Sequence, residues 1–166
     1  CYKMKQDNTK LYLYGGVALL AYIGVIRPIL KKLGIATGQE TTNVNNAQTL
    51  PAETNPFKPD YYKIQHKKLG IPVKLKTQSG LKQLFDKLKN GFGYIYDDED
   101  AIKSVFVILA NKMQVSQLSE YVQNATGTDI ITFMKRGKGV SAGAGLNDTE
   151  INAIIEIVNK KPVYTK

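Results

Sequence analysis

The chain has 166 residues, a net charge of +9 and one cysteine at position 1, so no internal disulfide can staple it. Its length leaves room for one small domain once an apolar N-terminal stretch is set aside. The charge is uneven: residues 31–90 carry +7, from eleven lysines against Glu40, Glu53, Asp60 and Asp86, while residues 91–166 carry −1.

Residues 1–10 read as a polar leader, with Met4 the expected natural start. From Leu11 to Ile26 there is no charged residue, and continuing through Arg27 and Pro28 to Leu30 gives twenty positions. As a helix these reach about 30 Å, the hydrocarbon thickness of a bilayer. Tyr12 and Tyr14 sit at one end like interfacial rings, Leu19, Leu20, Ile23 and Ile26 supply the apolar body, and Arg27 can snorkel to the headgroups. The spacing therefore predicts a single-pass transmembrane helix over 11–30. A cleaved secretory signal is disfavoured because no small-residue cleavage site follows. A buried core helix is disfavoured because apolar residues cover every face. The lysines beyond Arg27 place the following domain in the cytoplasm by the positive-inside rule.

Residues 31–55 are polar and without sustained period, which predicts a flexible tether. Residues 56–78 form an extended connector rich in aromatics and lysine. Pro56 and Pro59 favour extended geometry, and Phe57, Tyr61 and Tyr62 are candidate docking rings for a partner or for the chain's own domain. Lys67, Lys68, Lys74 and Lys76 are candidate contacts to anionic lipid or nucleic acid, with a solvated basic surface as the plain alternative.

From Ser79 the apolar period becomes helical, and five short helices are expected in residues 79–166. The first runs Ser79 to Lys89 with Ser79 as N-cap. The second starts in Asp97 to Asp100, whose carboxylates suit the positive end of a helix dipole. The third covers about Gln114 to Asn124 and the fourth about Asp129 to Lys135. The fifth begins at Asn147 or Asp148 and buries Ile151, Ile154, Ile155 and Val158. None persists alone at such length, so the apolar faces must pack into an all-α bundle.

The order of these helices resembles one annexin-type repeat over Ser79 to Val158. Gly91, Phe92 and Gly93 with Asp97 to Ile102 are similar to that family's glycine turn and acidic helix start. Asp129, Ile130, Ile131, Phe133 and Lys135 are similar to its fourth-helix pattern. The resemblance implies the five-helix fold. The family's calcium chemistry does not carry over, because the loop Lys135 to Gly145 has no carboxylate and a hard divalent ion needs anionic oxygens from both loops. No cofactor or metal is expected.

The whole arrangement also resembles small proteins encoded by bacteriophages and mobile elements of Bacteroidetes. That resemblance implies a minor virion membrane protein. Such a protein would link an internal lipid bilayer, or the bacterial inner membrane, to capsid or vertex proteins. A bacterial inner-membrane protein that binds nucleic acid or anionic lipid through the basic connector is the alternative.

An enzyme is the least supported class. His66 stands alone in a lysine-rich stretch, and the glycine-rich run Lys135 to Gly145 lacks the ending of a nucleotide loop. Paired carboxylates for a phage wall-degrading enzyme could come only from Asp97 to Asp100 or from Asp148 and Glu150, all at expected helix starts.

Overall fold

The protein is described from a computed structural model, which covers residues 38–70, 74–93, 97–137 and 145–165. Within them lie seven helices and no strand: α1 Gly38–Thr49, α2 Tyr61–Leu69, α3 Gln78–Gly91, α4 Glu99–Ile108, α5 Lys112–Thr126, α6 Ile130–Arg136 and α7 Asp148–Asn159. The expected span over Leu11 to Leu30 lies outside the described residues. Among those residues no helix is long and apolar enough to cross a membrane. The expected architecture of anchor, tether and five-helix bundle is therefore corrected: among the described residues there are seven helices, none a candidate span, with α1 inside the supposed tether and α2 inside the supposed extended connector.

The tether was expected to be flexible because it has few large apolar residues, yet α1 folds against α7. Val44 and Ala47, three apart and thus on one face, are both buried there. Polar contacts set the register. The Thr149 hydroxyl reaches the Glu40 carboxylate at 3.3 Å, and one turn later the Asn43 amide donates to the Asn152 carbonyl oxygen at 2.8 Å. The two helices thus run parallel, and tertiary contact supplies what local propensity lacks.

The five helices expected after residue 78 are α3 to α7, with ends shifted by a few residues. Ser79 is not the first cap: Thr77 has extended backbone and its hydroxyl accepts the Gly80 N–H at 3.1 Å. Asp98 caps α4 through the Ala101 N–H at 2.9 Å, and Asp129 caps α6 through Thr132. At α7 the Asn147 side chain accepts from Glu150 N–H while the Glu150 carboxylate accepts from Asn147 N–H, a reciprocal capping box. Gly70 and Gly127 end α2 and α5 with φ of 61° and 73°, a conformation that side chains resist.

The core is shared by α1 and α3 to α7, with Phe57 added from the segment before α2. Leu88, Ile102, Phe106, Leu118, Ile130 and Ile154 are fully buried or nearly so. Phe85 of α3 packs on Tyr121 of α5 and Phe133 of α6, and Phe92 meets Phe133 edge to face. Gly91 lets α3 approach α4: a β-carbon there would lie 2.5 Å from the Ile102 side chain.

Helix α5 carries a second, polar buried face that the apolar period did not announce. Gln114, Ser116, Gln117 and Ser119 are all buried alongside Val115 and Leu118. The side chains of Gln114, Ser116 and Gln117 bond the backbone of the segments laid over the helix, whereas the Ser119 hydroxyl returns to the Val115 carbonyl within it.

Candidate anionic-surface interface

The basic residues singled out in the sequence lie on α2 and on the connection that follows it. Lys67 and Lys68 occupy the last turn of α2 with His66, where cations complement the negative helix end. The Gly70 N–H then donates to the His66 carbonyl at 3.1 Å and turns the chain. Residues 74–77 run extended along α5. The Gln114 amide donates to the Lys74 carbonyl at 2.9 Å, and the Lys76 N–H donates to the Gln117 side-chain oxygen at 2.9 Å. Lys74 N–H also donates to the Thr165 carbonyl at 3.1 Å. This holds the backbone in place while Lys74 stays exposed and Lys76 partly so.

From Tyr61 to Phe85 the chain contains no Asp or Glu. The lysines at the two edges of that interval find partners: Lys63 bridges Glu120 at 2.5 Å and Asp60 at 3.2 Å, and Lys82 bridges Asp86 at 2.7 Å. Elsewhere Lys103 pairs with Glu99 and Lys135 with Asp148. Lys67, Lys68, Lys74 and Lys76 make no ion pair among the described residues.

The candidate docking rings are placed differently. Phe57 is 3% exposed and packs on Phe106 with centroids 6.4 Å apart. Tyr61 is buried as well, and burial raises its phenol pKa above the ordinary value. Tyr62 is half-buried. Its N–H donates to the Ser116 hydroxyl at 3.0 Å, and its own hydroxyl donates to Glu120 at 2.8 Å. Its phenol pKa is raised, first by burial and then by the Glu120 hydrogen bond. These rings fasten the connector to its own domain. Ser116 completes the attachment by reaching the Lys58 carbonyl at 2.6 Å. The candidate span residues Leu11, Tyr12, Tyr14, Leu19, Leu20, Ile23, Ile26 and Arg27 lie outside the described residues.

The acidic groups serve helix starts. Asp97 accepts the Gly93 N–H at 3.1 Å and closes the turn before α4, with burial raising its pKa. Glu150 of α7 has its pKa raised, first by burial and then by its neighbour Glu99, against the lowering effect of the Asn147 N–H. No group of three His, Cys, Asp or Glu side chains is arranged to hold a metal among the described residues. A groove of about 180 Å³ between α1 and α7 is lined by Asn43, Asn46, Leu50, Asn55, Phe57 and Asn159 among others. It is smaller than the usual small-molecule site of about 300 Å³ or more, and no ionisable side chain lines it.

No known protein family, no characterised protein and no solved structure matches the chain. The annexin-type and phage-protein resemblances therefore stand on their quoted motifs alone.

Proposed function

We propose that this chain is a non-enzymatic structural or docking protein that works against an anionic lipid bilayer, with the α2–α3 connection as its phosphate-facing surface. The observation that carries the reading is that Lys67, Lys68, Lys74 and Lys76 lie in a stretch, Tyr61 to Phe85, without Asp or Glu and make no ion pair among the described residues, while their neighbours Lys63 and Lys82 do. Each lysine held near an anionic leaflet contributes on the order of 1 kcal/mol, so four make an attachment that salt weakens.

Lipid is favoured over nucleic acid by what accompanies the lysines. Single-stranded nucleic acid is gripped by aromatic stacking as well as charge. Phe57 and Tyr61 are buried, and the Tyr62 hydroxyl is committed to Glu120. The apolar run Leu11 to Ile26 in the same chain further favours a lipid setting.

The test compares sedimentation of the whole chain with vesicles of neutral phosphatidylcholine and with vesicles also containing phosphatidylglycerol. The expected result is a preference for the anionic vesicles that shrinks as salt rises and is lost in the combined Lys67→Glu, Lys68→Glu, Lys74→Glu, Lys76→Glu variant. Equal binding to both vesicles overturns the reading. Release of the chain from anionic vesicles by duplex DNA would instead make nucleic acid the partner.

A further inference from the structure

One end of the molecule combines charge with exposed apolar side chains. Val107 and Ile108, at the end of α4, are 59% and 49% exposed, and Val163, after α7, is 37% exposed. They are three of the four large apolar side chains exposed among the described residues, the other being Leu50. Backbone bonds bring them to the same place. Lys112 N–H donates to the Pro162 carbonyl at 2.9 Å, and Met113 N–H donates to the Val163 carbonyl at 3.2 Å. The Lys161 ammonium reaches the Val107 carbonyl at 3.2 Å. The end of α4, the start of α5 and the returning chain thus form one surface.

Lysines surround it. Lys112, Lys160 and Lys161 belong to these segments, and Lys74 joins them through its bond to Thr165. The carboxylates of α4 and α7 lie mostly at the other end. Glu99 and Asp100 start α4, Asp148 and Glu150 start α7, and Glu99 meets Glu150 across the parallel pair. Glu156, in the last turns of α7, is turned back to the Asn152 amide at 3.0 Å. The fold therefore sorts charge along its length: acids at the helix starts, aliphatic tips among ammonium groups at the opposite end.

We propose that this end enters an anionic bilayer, with Val107, Ile108 and Val163 in the headgroup and upper acyl region and Lys74, Lys112 and Lys160 on lipid phosphates. The inference deepens the lipid-facing reading of the α2–α3 connection and rests on it. Nucleic acid offers phosphates but no apolar phase for three aliphatic side chains. Protein interfaces centre on Trp, Tyr or Arg anchors, and the one in these segments, Tyr164, is less exposed than Val107, Ile108 and Val163. Aliphatic tips with lysines on the same segments match the two layers of a charged leaflet.

The test places an environment-sensitive fluorophore on the whole chain, in a Cys1→Ser background, either through Val163→Cys or through Asn124→Cys. Asn124 lies near the far end of α5, about 20 Å away by helical rise. With anionic vesicles containing acyl-brominated lipid, the probe at Val163 is expected to shift blue and be quenched, while the probe at Asn124 does neither. Adding Val107→Asp and Ile108→Asp should lower the quenched fraction by at least about tenfold. An unquenched Val163 probe overturns insertion, whatever holds the chain to the vesicle. Loss of anionic preference on substituting the α2–α3 lysines reads the earlier proposal separately, since quenching at Val163 does not measure it.

Discussion

The side-chain amide of Gln117 binds both backbone groups of Lys76: its oxygen accepts the Lys76 N–H at 2.9 Å, and its nitrogen lies 3.4 Å from the Lys76 carbonyl. A side chain buried on α5 thereby stands in for a neighbouring strand. The basic segment is held extended without any sheet among the described residues, and its lysines are presented rather than folded away.

Replacing that amide with an apolar side chain of similar length removes the partner with little change in volume. Gln117→Met is expected to cost about 1–3 kcal/mol, the penalty for leaving backbone groups unmade. Urea denaturation followed by circular dichroism measures it. Amide exchange at Lys76 should quicken more than exchange in α7, and equal acceleration everywhere would contradict a local role.

The docking of α1 on α7 makes a prediction that separates it from a tether. Val44 has no exposed surface. Val44→Ala is expected to destabilise the domain by about 1–2 kcal/mol, because buried methyl groups are lost. A flexible tether would show no change in thermal midpoint.

Glu150 sets a pH dependence whose sign can be stated. Its pKa in the folded state is raised above the ordinary carboxylate value, by burial and by Glu99. The protonated form is therefore favoured on folding, so the contribution is present below about pH 4.5 and lost as pH rises through the folded value. At neutral pH its charge opposes folding. Glu150→Gln keeps an acceptor for the Asn147 N–H and removes that charge. The variant should gain stability relative to the parent between pH 4 and 7, by under about 1 kcal/mol after solvent screening. Parallel stability curves over that interval would exclude it.

Close packing of α3 on α4 depends on the absence of a side chain at Gly91. A β-carbon there would meet Ile102 at 2.5 Å, inside the helix pair. Gly91→Ala should lower stability by about 1–3 kcal/mol, the usual cost of overpacking. Gly91→Ala should cost less in an Ile102→Ala background, which lacks the clashing Cγ1, than on its own, and an equal cost would place the strain elsewhere.

Much of the helical part was legible in the chain because periodic apolar faces and local caps act over a few residues. Leu81, Leu84 and Leu88 mark α3, and Asp98, Asp129 and Asn147 mark the starts of α4, α6 and α7. The basic character of the connector was equally visible, since charge is a property of composition. The seven-helix architecture was not visible. Helix α1 has no apolar period of its own, and its two buried apolar residues gain meaning only when α7 supplies the opposite face.

By itself the sequence determined that the chain has an all-helical core over residues 79–158, a lysine-rich connector and an apolar N-terminal run. Tertiary structure alone decided that Phe57 and Tyr61 are buried while Lys67, Lys68, Lys74 and Lys76 make no ion pair among the described residues. It also brought Val107, Ile108 and Val163 to one end. The physical reason is that local patterning fixes which face of a helix is apolar, whereas ion pairing and exposure depend on which distant segments arrive beside it.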